Sequence, residues 1–263
     1  MEILILGSGT SHGVPMIGCE CAVCRSDNPK NKRFRPSILV RNAEHSILVD
    51  TAPELRLQAL ANDVRRVDAV LFTHTHADHI FGMDDLRRFN DLVGGEIPIY
   101  GDPQTLDDIR RIFRYVFIET QAGGGKPRLI LHTIPPAFDL FGLHIQAFYV
   151  MHGRLPVLSF RFDRPAIADT PARSAAYVTD VNLIPPDSMA KLQDLDLLIL
   201  DAVRFEPHST HFGLYQALDV IAELRPRQAL LTHISHHFDH DAVNAQLPSN
   251  VALAYDGQRI AFF

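Results

Sequence analysis

The chain has 263 residues, with 25 Lys+Arg against 31 Asp+Glu for a formal charge of −6, and 46% hydrophobic against 21% charged residues. That composition excludes a disordered, fibrous or disulfide-scaffold protein, and the acidic balance argues against a nucleic-acid partner held mainly through its phosphates. No apolar run reaches the roughly 18–20 residues of a membrane-spanning helix, and the N-terminal MEILILGSGT lacks the charged region and cleavage pattern of a secretory signal, so no membrane partner and a cytoplasmic location are expected.

In chain order, short β-like runs are predicted at 3–6, 38–40, 46–49, 69–72, 97–100, 157–162, 176–178, 197–200, 229–231 and 251–254. Helical patterns fall at Glu54 to Ala61, after Thr51 as a candidate cap, and at Thr105 to Tyr115. The clearest helix is the stripe Leu214, Ala217, Leu218, Ile221 and Leu224, spaced i, i+3, i+4, i+7 and i+10. Early strands come in hairpin-like pairs and later ones alternate with helices, which predicts two sheets packed together with helices outside. Nothing divides the chain, so residues 1–263 are taken as one domain.

Two glycine-rich stretches carry no phosphate motif. Gly7-Ser8-Gly9-Thr10-Ser11-His12 has histidine where a dinucleotide fingerprint needs its third glycine. The stretch Gln121 to Lys126 contains Gly123, Gly124 and Gly125, but Pro127 follows the lysine, so it reads as a surface loop, with a substrate lid as the alternative.

The strongest signal is Thr73-His74-Thr75-His76-Ala77-Asp78-His79, directly after an apolar run. Imidazoles and a carboxylate at a strand end can converge on one point, and they are donors that zinc, manganese or iron(II) accepts. Three further polar residues each follow an apolar run: His152, Asp180 and His233. Cys19, Cys21 and Cys24 form an odd cluster, which in a cytosolic chain points to metal and away from a disulfide framework.

In these residues the chain resembles the metallo-β-lactamase-fold hydrolases, whose pattern is H-x-H-x-D-H followed by distant His, Asp and His. The resemblance implies an α/β four-layer αβ/βα sandwich, two mixed β-sheets flanked by helices with metals at one edge. It also implies that His74, His76 and His152 hold one divalent ion, Asp78, His79 and His233 a second, and Asp180 bridges them. The segments Gly9-Thr10-Ser11-His12-Gly13-Val14-Pro15, Gly18 to Cys24 and Leu231 to His236 are similar to the PhnP branch, which contains a cyclic-phosphate phosphodiesterase. That likeness implies a structural Zn2+ held by the three cysteines and His236. A Cys₃His set is a usual closed zinc site, with His237 and His240 as competing fourth ligands.

Two ions would hold a bridging hydroxide and accept the substrate's oxygens, and Asp78 could orient that hydroxide. The resemblance places His211, ahead of the amphipathic helix, in catalysis, and a free imidazole there could protonate the leaving oxygen. Asp201, at another strand end, reads as support for a neighbouring ligand or loop. His208, Arg88 and Lys126, with Arg87, Arg111 and Arg114, are the available substrate-phosphate contacts.

The leading expectation is thus a metal-dependent phosphoric diester hydrolase acting on a small phosphate ester, which the likeness to the PhnP branch implies is cyclic. Its active-site ions would be Mn2+ or Zn2+, with Fe2+ also permitted, and a homodimer is the commonest assembly for such chains. Three alternatives stay open: a lactone or thioester hydrolase, a relative of the pyrroloquinoline-quinone biosynthesis protein, and a metal-binding module without turnover. A tRNA-processing nuclease fits less well, because no basic arm is visible.

Overall fold

Strands that are apolar on both faces need a covering layer on each side, and this requirement sets the architecture. The computed structural model describes residues 1–119, 125–168 and 170–262. Its strands are β1 (Glu2–Gly7), β2 (Ser37–Asn42), β3 (His45–Val49), β4 (Ala69–Leu71), β5 (Ile97–Gly101), β6 (Leu129–Thr133), β7 (Ala137–Leu140), β8 (Leu143–His152), β9 (Leu155–Arg164), β10 (Arg173–Val178), β11 (Leu197–Asp201), β12 (Gln228–Thr232), β13 (Val251–Leu253) and β14 (Arg259–Ala261). They form two seven-stranded sheets, in the orders β14-β1-β2-β3-β4-β5-β6 and β13-β12-β11-β10-β9-β8-β7. Each is mixed: β1 to β3 and β7 to β10 pair antiparallel, whereas β3 to β6 and β10 to β13 pair parallel.

The side-chain period of two then sorts each strand between cores. Ile3 and Ile5 of β1 face the space between the sheets, with Phe160, Phe162 and Tyr177. Leu4 and Leu6 of the same strand face outward under the helices α2 (Leu55–Ala61), α4 (Leu86–Val93) and α5 (Pro103–Ile112). Short helices complete the chain order: α1 (Ala22–Arg25), α3 (Ala77–Ile80), α6 (Arg114–Phe117), α7 (Pro186–Met189) and α9 (His240–Asn244). On the other side, α8 (Leu214–Leu224) lays Leu214, Ala217, Ile221 and Leu224 on the outer face of the second sheet. Burying each of its large apolar side chains contributes ~1.5–3 kcal/mol. The sandwich is the four-layer arrangement expected from the sequence.

Several local expectations change. Thr51 does not cap α2: its hydroxyl bonds the carbonyls of His79 and Ile80, while Glu54 occupies the cap position and pairs with Arg35. The helix expected at Thr105 begins earlier, because Asp102 accepts from the Thr105 backbone N–H and Pro103 takes the first turn. Of the glycine-rich stretch, residues 121–124 lie outside the described residues. The edge strands β6, β7 and β14 have mixed polarity and were not predicted from pattern.

What matters for the site is that the ends of β3, β4, β8, β10, β11 and β12 meet along one edge of the two sheets. Residues just past such carboxyl ends point into a shared crevice.

Candidate metal centre

Six strand ends deliver the site residues. Asp50 follows β3, His74 to His79 follow β4, His152 ends β8, Asp180 follows β10, Asp201 ends β11 and His233 follows β12. Asp50, Asp180 and His233 have φ of 61°, 52° and 58°, a region that Asp and His enter more readily than bulky residues do. Three neighbouring left-handed residues turn the chain sharply at the sheet edge, and such strain persists only where the surroundings hold it. Gly82, just after α3, lets that helix pass close to the turn after β3; a Cβ there would collide with the Ala52 carbonyl.

The structure brings all seven expected ligands into one crevice. Donor atoms of His74, His76, His152 and Asp180 lie within 4.8 Å of one another, as do those of Asp78, His79 and His233. Asp180 faces both groups: Oδ1 is 3.8 Å from His152 Nε2, and Oδ2 is 3.1 Å from His79 Nε2 and 3.4 Å from His233 Nε2. Asp78 Oδ2 lies 3.3 Å from His79 Nε2 and 3.6 Å from His233 Nε2.

The other ring nitrogens are tied down behind the crevice. His79 Nδ1 donates to Asp50 Oδ2 at 2.7 Å, and His152 Nδ1 donates to the Thr210 carbonyl at 2.8 Å. Asp50 also accepts from the Thr73 backbone N–H and hydroxyl, each at 2.9 Å. With Nδ1 committed, Nε2 is the nitrogen turned inward, the usual outer support of a metal-binding imidazole.

The donor set fits a divalent cation. Nε2 of His74, His79 and His233 is buried without a hydrogen-bond partner, and each such atom costs about 1–3 kcal/mol unless something satisfies it. Burial favours the uncharged form of every group here, yet the carboxylates of Asp78, Asp180 and Asp50 raise His79 well above its ordinary value. His233 is likewise pushed up to about 9, against burial, chiefly by Asp180 and Asp78. Burial together with the neighbouring His79 drives His74 far down. Asp180 falls well below the carboxylate range, because His233 and His79 outweigh its desolvation. Negative charge concentrated among imidazoles is the environment into which a cation fits, and the clusters are able to hold metal ions.

His211 borders the same crevice. Its Nδ1 donates to Asp201 Oδ2 at 2.7 Å, and that oxygen also accepts from the Val181 backbone N–H. Its ring lies 4.7 Å from that of His233 and 4.6 Å from that of His152. Its donor atom also falls within 4.8 Å of those of Asp180 and His233, so geometry alone permits ligation as well as proton transfer. His208 sits 5.2 Å from His211, ring to ring.

A second cluster joins distant parts of the chain. Sγ of Cys19, Cys21 and Cys24 lie 3.1, 3.5 and 3.7 Å from His236 Nδ1. Zn–S of about 2.3 Å and Zn–N of about 2.0 Å set tetrahedral S···N edges near ~3.5 Å, so these donors fit zinc. The Cys24 backbone N–H pulls the Cys21 thiol down to about 6, whereas burial and the neighbouring sulfurs push Cys24 up to about 11. The competing ligands lie elsewhere: His237 Nδ1 meets Ser235 Oγ, and His240 packs edge-on against Tyr255.

The residues 45–234 match the beta-lactamase superfamily domain. A crystal structure of a new diphosphatase from the PhnP family is 38% identical, with 98% of this chain and 96% of that one covered and a TM-score of 0.89. The chain belongs to the beta-lactamase superfamily, and within it to the PhnP family. The Zn2+-bound PqqB structure from Methylobacterium extorquens shares the fold, with a TM-score of 0.81 at 19% identity over 99% of this chain and all of that one. An octanoyltransferase of Porphyromonas gingivalis is 36% identical over 98% of this chain, which spans only 51% of that protein's length.

For this PhnP-family chain, the weak substrate-contact expectations divide. His208 stands beside the acid candidate. Arg88 lies along α4 toward Asp91, and Lys126 bonds the carbonyls of Ile118 and Tyr115, so neither joins the cluster around His211. Sequence reading missed Asp50, whose only signal is an aspartate directly after an apolar run. It also missed the backing roles of Thr73 and Thr210. Among the described residues no helix is long and apolar enough to cross a membrane.

Proposed function

We propose that this metal-dependent hydrolase is a dinuclear phosphodiesterase acting on a small phosphate ester, cyclic or open. The observation that carries this reading is the shared Asp180, with one oxygen turned to each ligand group, beside a histidine held from behind by Asp201. His74, His76 and His152 would hold one ion, Asp78, His79 and His233 the other, with Asp180 between them and a zinc on the cysteine cluster. Bound divalent ions make water a better nucleophile and neutralise charge on the phosphoryl oxygens.

The chain's own residues supply the rest. Water adds to phosphorus as the bond to the leaving oxygen breaks, giving a phosphate monoester and an alcohol. Asp78 is placed to orient the attacking water by hydrogen bonding. Asp201 orients the His211 ring through Nδ1, and its carboxylate favours the doubly protonated ring, whose Nε2–H would pass to the departing oxygen, a contribution of typically 10²–10⁴-fold.

Metal-loaded protein should turn over bis(p-nitrophenyl) phosphate or 2′,3′-cyclic nucleotides, and His211→Ala should remove that activity by about 10²-fold or more with metal content intact. Loss of metal in His211→Ala would make it a ligand instead. Hydrolysis confined to lactones or thioesters would replace the phosphoester reading with the acyl one. The octanoyltransferase relative motivates that arm, although its name belongs to a protein twice as long.

A further inference from the structure

All 3 cysteines of the chain stand at one point: their Sγ atoms and His236 Nδ1 lie within 4.8 Å of one another. Cys19 and Cys21 are half-buried, whereas Cys24 is buried behind them. In Cys21-Ala22-Val23-Cys24 the Cys24 backbone N–H donates to Cys21 Sγ at 3.4 Å, and the Met16 N–H donates to Cys24 Sγ at 3.4 Å. Zinc takes its cysteine ligands as thiolates, and the thiolate is the form that oxidants attack. An accessible sulfur with a second one poised behind it is the arrangement in which such an attack ends in a disulfide.

The same cluster fastens the turn that carries His233, because His236 lies three residues beyond it. Within that turn the Ile234 N–H donates to the Ser8 carbonyl at 2.9 Å, and the Ile234 carbonyl accepts from the Thr10 N–H at 3.1 Å. The Ser235 N–H donates to the Val203 carbonyl at 3.1 Å. Zinc on the three sulfurs and His236 would clamp the N-terminal loop over the end of β12. His233 itself has φ 58°, a conformation that persists only where its surroundings hold it. With the cluster opened, these backbone bonds alone hold the turn.

Resting on the reading that zinc occupies the thiolates and two ions the crevice, we propose that this loop is a redox switch. A peroxide joins Cys21 to Cys24, zinc leaves, and the ion held by Asp78, His79 and His233 is then bound more weakly. Cys21, the more exposed sulfur of the pair, attacks the O–O bond, takes one hydroxyl and expels hydroxide. The Cys24 thiolate attacks the resulting sulfenic sulfur, forms the S–S bond and expels a second hydroxide. Two electrons pass from the two thiolates to the peroxide, and two protons from solvent turn both hydroxides into water. Cys19 would close a tighter ring across a single intervening residue, so Cys24 is the resolving partner. Cys19 and His236 are left, too few donors for a closed zinc site.

The test uses the full, metal-loaded chain and hydrogen peroxide in equal amount. Desalting and elemental analysis should then show the loss of about one zinc per chain. Peptide mapping after alkylation should find Cys21 joined to Cys24 and Cys19 alkylated. Titration against a competing chelator should show one crevice ion bound roughly 10- to 100-fold more weakly, the size of losing a ligand's outer support. Dithiothreitol with added zinc should restore both. Cys19→Ser, which opens the cluster without oxidation, should show the weakened crevice ion from the start and lose no further affinity to peroxide. Retained zinc, a sulfinic acid in place of the disulfide, or zinc loss with unchanged crevice affinity overturns the inference. The wild-type readouts decide this even where Cys19→Ser fails to fold. If untreated protein carries no zinc on the loop or no ions in the crevice, the metal reading itself falls, an outcome distinct from a loop that ignores peroxide.

Discussion

Replacing Asp50 with asparagine keeps the shape of a fully buried side chain and removes one acceptor. Asp50 Oδ1 accepts from the Thr73 backbone N–H at 2.9 Å, while Oδ2 accepts from the Thr73 hydroxyl at 2.9 Å and from His79 Nδ1 at 2.7 Å. An Asn amide can serve one side only. With its oxygen toward the Thr73 N–H, its NH₂ confronts the His79 N–H and drives the proton to Nε2, the nitrogen a metal needs. With the oxygen toward His79, two donors meet at the Thr73 backbone. Either arrangement forfeits a hydrogen bond to a charged acceptor, worth about 1.5–3 kcal/mol. At about 1.4 kcal/mol per tenfold, that corresponds to roughly 10- to 100-fold weaker binding of the ion held by His79. Titration against a competing chelator, with elemental analysis at each step, measures this directly. Asp50→Asn protein that keeps both active-site ions at wild-type affinity would refute the claim that this carboxylate sets the His79 tautomer.

Two other outcomes follow from the cysteine loop and its surroundings. Protein purified without added metal should contain close to three ions per chain, and Cys19→Ser should lose about one of them together with thermal stability, since a closed thiolate site contributes folding energy; equal zinc content in the variant would remove the site. Burial, reinforced by the Lys30 and Arg33 cations against the opposing Asp241 and Asp239, pulls His240 down to about 4 from an ordinary 6.5. Below pH 6.5 the unfolded chain takes up a proton that the folded one refuses, so stability is lost as pH falls from about 6.5 to about 4. After allowance for solvent screening, the loss is on the order of 1–2 kcal/mol. His240→Gln should lack this component when urea midpoints are compared across that window, and parallel wild-type and variant curves would show that His240 does not contribute it.

The primary structure alone determined the elements whose information is local. The apolar runs at 3–6, 38–40 and 229–231 mark strands because both faces are covered, and α8 is legible because its stripe repeats at the helical period. The cluster from His74 to His79 is legible because most of one ligand group and part of the other fall within six positions after one strand. His152, Asp180 and His233 were recoverable because each follows an apolar run. Tertiary structure alone decided which distant groups stand behind these. Asp50 is twenty-nine positions from His79 and looks like any aspartate at a strand end until β3 and β4 pair in parallel. A side chain's period records which layer it faces, but the register between strands, which selects its partners, arises only when the two sheets close on their shared core.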